Sequence, residues 1–137
     1  MADEVEHYKV ILVSEHRSPQ IAAARVHVDS EDCRIELSFD GHSLEATGDD
    51  LFESFCRIRE QLETRGALPK CYGAHLHAFP SGMSRDMGGG MLLYRLTLGT
   101  PALTKNLVHM FEADDDVVPS TVADQREFFD RWIGSPG

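Results

Sequence analysis

The apolar runs of this sequence are only a few residues long, far short of the roughly 20 that a membrane-spanning helix requires. Basic residues are scarce too. Thirteen lysines and arginines stand against 23 acids, a formal net charge of −10, and a field of that sign repels phosphate backbones and anionic lipid. Nucleic acid and membrane surfaces are therefore not expected as partners. Cysteine is sparse, and Cys33, Cys56 and Cys71 form an odd, widely spaced set with no C-x-x-C pair. That fits buried thiols in a reducing compartment better than a disulfide framework. The first residues, MADEVEHYK, are acidic where an export signal is basic and then apolar, so a cytoplasmic location is expected. Repeats and low-complexity tracts are absent. So are G-x-S-x-G, H-E-x-x-H and the lysine-bearing phosphate loop, which leaves no catalytic residue to assign and no cofactor to expect.

What is present is ordinary globular composition: 42% apolar and 26% charged residues in 137, enough to bury a core without metal or disulfide. Residues 1–137 read as one domain. Its acidity is unevenly placed. From Asp29 to Glu53 there are nine acids and one base, Arg34, so this stretch holds most of the excess.

Tyr8 to Val13 is β-branched and apolar enough for a strand, and Ile21 to Val28 reads as a second strand hairpinned onto it. Ile35, Leu37 and Phe39 alternate with Arg34, Glu36 and Ser38, the pattern of a half-buried antiparallel strand. Asp40-Gly41 supplies a turn, and Ser43 to Thr47 a short return. Leu51, Phe55, Ile58 and Leu62, at spacings of three and four, predict a helix to about Arg65, capped by Asp49 or Asp50 and ended by Gly66 and Pro69. Beyond it, Lys70 to Phe79 reads as a strand, Pro80 to Gly90 as a glycine-rich loop, and Met91 to Leu98 as the partner strand. Leu107 to Phe111 adds a short strand. Thr121 and Asp124 open a final helix, with Val122, Phe128, Phe129, Trp132 and Ile133 expected on its buried side. Strands without regular strand-helix alternation predict an α+β fold: a mainly antiparallel sheet with two helices packed on one face.

Three clusters invite functional readings. The loop Phe79 to Gly90 carries Ser84, Arg85 and Asp86 among four glycines, a setting in which backbone and arginine can hold an anion. The alternative is a structural loop in which Arg85 and Asp86 hold their own backbone. His75 and His77, two apart on a predicted strand, share a face and can both reach one metal. Two ligands do not make a site, so no metal is assigned and strand histidines remain the plainer reading. Glu112, Asp114, Asp115 and Asp116 lack the spacing and central glycine of an EF-hand loop, and read as a solvated turn that extends the acidic surface.

The segments ATGDDLFESFCRIREQLE, FPSGMSRDMGGGMLLYRL and PSTVADQREFFDRWI together resemble a set of small bacterial proteins without assigned enzymatic activity, over residues 46–133. In size, charge and fold class the chain also resembles immunity proteins of polymorphic or contact-dependent toxin systems. This second resemblance implies a non-catalytic, toxin-neutralising module that binds a basic protein, a toxin domain. The expected partner-binding residues are Glu36, Asp40, Glu45, Asp49 and Asp50, with Asp114, Asp115 and Asp116 as a second cluster. The alternative is a small enzyme or anionic-ligand binder at loop 79–90, with Arg85 gripping the anion and Asp86 or a strand histidine as base. A third option is a homodimer formed through an exposed sheet edge.

Overall fold

Period-two alternation folds the first third of the chain into a meander. β1 (Val5–Ser14) pairs antiparallel with β2 (Gln20–His27), β2 with β3 (Ile35–Phe39), and β3 with β4 (His42–Ala46). The computed structural model describes residues 4–28 and 30–135, without the side chains of Met87 and Gly88; Asp29, the first acid of the charged stretch, lies outside the described residues. Asp40 and Gly41 both take positive φ (47° and 75°), the two-residue geometry that matches the twist of paired strands. Register then sorts the side chains. Val10, Leu12, Ala22, Ala24, Val26, Ile35, Leu37 and Leu44 are buried on the inner face. His7, Arg25, Glu36 and Glu45 are aligned across the outer one.

α1 (Leu51–Glu63) covers the inner face with Phe52, Phe55, Ile58 and Leu62, each worth roughly 1.5–3 kcal/mol on burial. Its start is fixed by Asp50, whose carboxylate accepts the Glu53 N–H at 2.7 Å. Its polar side reaches back to β4. Arg57 donates to the Thr47 carbonyl at 2.8 Å and Gln61 to the Glu45 carbonyl at 3.2 Å, so one acceptor of the outermost strand and one just past its end are already occupied. β5 (Ala67–Pro69) joins the other side of β1, giving the order β4-β3-β2-β1-β5.

The remainder forms a second antiparallel sheet of β6 (Ala78–Phe79), β7 (Leu92–Arg95) and β8 (Leu107–His109), with α2 (Gly82–Gly88) between β6 and β7 and α3 (Val122–Ile133) at the end. The class is α+β with antiparallel sheets, as the sequence predicts. Three local expectations are corrected. Lys70 to Phe79 is not one strand: a 3-10 turn at Tyr72–Ala74 interrupts it, and within that turn Gly73 packs so close to the Phe55 ring that an added Cβ would lie 2.8 Å from it. The glycine-rich loop 79–90 contains a helix, α2, capped by Ser81, whose hydroxyl accepts the Ser84 N–H at 3.0 Å. In α3, Ile133 is 61% exposed, and the buried residue is Gln125.

Gln125 explains how the parts are joined. Arg59 of α1 is fully buried, donating to the Gln125 side chain at 2.6 Å and to the carbonyls of Gly73 (3.1 Å) and Ser120 (3.0 Å). Gln125 in turn donates to the carbonyls of Gly73, His75 and Ala78. One arginine and one glutamine thus supply donors to the carbonyls of Gly73, His75 and Ala78 in the irregular 73–78 segment. Aromatic stacking completes the contact: Phe79 of β6 lies parallel to Phe129 of α3 at 4.0 Å between centroids. Among the described residues no helix is long and apolar enough to cross a membrane.

Candidate functional site

The acids expected to form one surface are distributed over several places. Glu36, on the outer sheet face, accepts a hydrogen bond from His27 and lies 3.7 Å from Arg25 and 3.5 Å from Arg34. The His27 contact, followed by the arginines, holds its carboxyl below the usual carboxylate range. Glu45 pairs with Arg34 at 2.8 Å. This part of the hairpin is therefore largely neutralised from within. Asp50 is only 8% exposed, caps α1 and meets Arg85 Nε at 2.6 Å. Asp40 is exposed at the hairpin turn, while Asp49 lies at the other end of these strands.

Asp49 has neighbours the sequence did not single out. The β2–β3 turn and the β4–α1 connection are tied by the Gly48 N–H donating to the Asp32 carbonyl at 3.0 Å. Around Cys33, burial raises the thiol above its ordinary value, and the charges of Asp50, Asp32 and Asp49 raise it further. Glu31, Asp32 and Asp49 are exposed, and none has a base within ion-pair distance among the described residues. Glu31 and Asp32 contributed to the sequence charge count; the proximity of Asp32 to Asp49 depends on chain pairing that the count does not contain.

Asp50 joins both sides of this region, and its replacement by alanine is expected to cost about 1–2 kcal/mol, mainly through the lost cap. Asp50→Asn keeps the cap and removes the ion pair, so urea unfolding of the two variants separates the contributions. Loss of equal size in both variants would contradict the cap as the main one.

The loop residues separate in the same way. Arg85 is spent on Asp50 and on the face of Phe52, with its guanidinium carbon 5.5 Å from the ring centroid. Ser84 donates to the Leu92 carbonyl at 2.6 Å, and Asp86 is exposed. None of the three lies beside the histidines. Among the described residues no group of three histidines, cysteines or acids is placed to hold a metal.

His75 and His77 do meet, edge to face at 5.3 Å between centroids, although His75 follows the 3-10 turn rather than lying on a regular strand. They line a cleft of about 370 Å³ together with Arg95, Thr97, Asn106 and Asp116. Asp116 accepts from the Tyr72 hydroxyl at 2.6 Å and from Arg95 at 3.3 Å. These contacts, the phenol first, hold its carboxyl below the ordinary value, while burial and Asp116 push the Tyr72 phenol up to about 12. Asp116 is thus paired within its own chain while remaining exposed, as Asp114 and Asp115 are. Arg95 was not anticipated; the signal was a lone base within the apolar run MLLYRL.

Cys71 is buried, its thiol pushed up to about 12 by desolvation, and Cys56 is raised by the same cause. Neither has the lowered value that makes a thiol a ready nucleophile. Comparison with protein-family models gave no match, and comparison with curated proteins gave no relative.

Proposed function

We propose that this chain is a non-catalytic protein-binding module of the immunity type, which receives a basic protein at the acidic end formed by Glu31, Asp32 and Asp49. The observation that carries this reading is the contrast in pairing. Glu36, Glu45, Asp50 and Asp116 are each matched to arginine, whereas Glu31, Asp32 and Asp49 are exposed with no base within ion-pair distance among the described residues, and Asp32 and Asp49 both lie close enough to Cys33 to raise its thiol. Unpaired like charges held together by two tied loops repel one another, and a cationic surface relieves that repulsion while speeding encounter. Asp40, Asp114 and Asp115 supply further exposed charge elsewhere on the chain.

The test compares the wild-type chain with Glu31→Lys/Asp32→Lys/Asp49→Lys and with Asp114→Lys/Asp115→Lys. A partner isolated by cross-linking, then purified, is titrated against each at low and moderate salt. The first variant is expected to weaken association about tenfold or more and flatten its salt dependence, mostly through the on-rate. Unchanged affinity and salt slope in that variant would remove this end of the sheet as the interface.

A further inference from the structure

We propose that the cleft between the 75–77 segment, the end of β7 and the loop before α3 is a binding site for a small oxyanion, a carboxylate or phosphate group carried by a metabolite-sized ligand. Its walls come from four separate stretches of chain, and His75, Arg95 and Asp116 are held by hydrogen bonds within the chain. His75 is 4% exposed, and its Nδ1 accepts the Val118 N–H at 2.9 Å. An accepting Nδ1 leaves the proton of the neutral ring on Nε2. Burial, followed by the neighbouring His77, favours that neutral form. No protein acceptor takes the Nε2 hydrogen among the described residues, and His75 lines the cleft. A donor on a nearly buried ring is thus presented to the open space.

The other groups agree with it. Arg95 has five N–H donors, of which one hydrogen bond, to Asp116, is made within the chain among the described residues. The Asn106 amide and Thr97 hydroxyl border the same space. Asp116 is the one carboxylate in this lining, and both of its oxygens already accept hydrogen bonds, from Tyr72 and Arg95. Its charge is balanced by the arginine, so the remaining capacity of the cleft is weighted toward donation. Donors converging on a concave site of a few hundred Å³ suit an oxyanion, with Arg95 giving the charge-assisted contact. His77, held edge to face against Phe128 at 4.6 Å, forms a wall that resists collapse. Neither Arg85 nor the acidic end contributes, so this site and the protein interface stand or fall separately.

The experiment follows the imidazole nitrogens by long-range ¹H–¹⁵N NMR while inorganic phosphate, and in a parallel sample succinate, is added at constant ionic strength. The free protein is expected to show His75 as the Nε2–H tautomer, and either probe is expected to shift that signal saturably. Saturation by phosphate alone assigns a phosphate ligand; saturation by succinate alone assigns a carboxylate. Arg95→Gln is expected to weaken binding about tenfold or more, the range for losing a hydrogen bond to a charged group. Asn106→Ala, on the rim, guards against an unfolded Arg95 variant and is expected to weaken binding a few-fold while the amide spectrum stays folded. No saturable shift with either probe, or equal binding by wild type and both variants, would overturn the site.

Discussion

Arg59→Met is expected to lower stability by about 3 kcal/mol and the thermal midpoint by about 10 °C. Methionine fills much of the same volume, so the effect is one of polar satisfaction rather than of space. Without the guanidinium, the Gln125 side-chain oxygen and the Ser120 carbonyl lose their buried donor. Leaving each unpaired costs about 1–3 kcal/mol, and relief from burying a charge offsets part of that. Arg59 bears this burden: burial presses it below its ordinary value, and it bonds only neutral oxygens among its close hydrogen-bond partners. Because Arg59 and Gln125 act together, Arg59→Met/Gln125→Leu is expected to lose less than the sum of the single variants. Calorimetry of the four proteins measures this coupling. Additive losses would show that the two side chains stabilise the fold independently.

The second large effect is expected at Gly90. Its φ is +81°, and an added Cβ would lie 2.8 Å from Phe52 Cβ and 3.1 Å from the Phe52 backbone nitrogen. Gly90→Ala therefore combines a left-handed backbone with a clash that no side-chain rotation relieves, at a cost of about 2–4 kcal/mol. Gly89 provides the control. It is also left-handed (φ +65°), but its added Cβ would meet only the flexible end of Leu51, at 3.4 Å, so Gly89→Ala is expected to lose about 1–2 kcal/mol. Denaturant midpoints separate them, and equal losses would mean that strain, not contact, sets both. The position matters because the Gly89 carbonyl accepts the Leu51 N–H at 2.7 Å, fastening the end of α2 to the start of α1.

Local pattern accounts for the parts of the fold whose determinants are neighbours in sequence. Ile35, Leu37 and Phe39 point one way because a strand alternates; Asp50 and Thr121 cap helices because their acceptors reach amides three residues on. The 70–79 stretch failed for the opposite reason. Its turn is shaped by Phe55, 18 positions before Gly73, and by carbonyls that wait for Arg59 and Gln125. α2 was hidden because glycines at both ends lower helix propensity, while the Ser81 cap and packing against neighbouring elements decide the outcome. The same division applies to function. His75 and His77 were legible as a pair, but Arg95 and Asp116, 21 positions apart, become partners only when β7 and the 114–116 loop are brought together. Charge was legible as an amount; its cancellation by Arg25, Arg34 and Arg85 was not.

The contacts from Arg57 and Gln61 to the outermost strand bear on colloidal behaviour. A free strand border normally templates addition of further chains, and here the Glu45 carbonyl on β4 and the Thr47 carbonyl just past its end are engaged by the molecule's own helix. An incoming strand must first displace those donors. Ordered stacking of copies along β4 is thereby disfavoured, although that strand carries neither a proline nor a lysine.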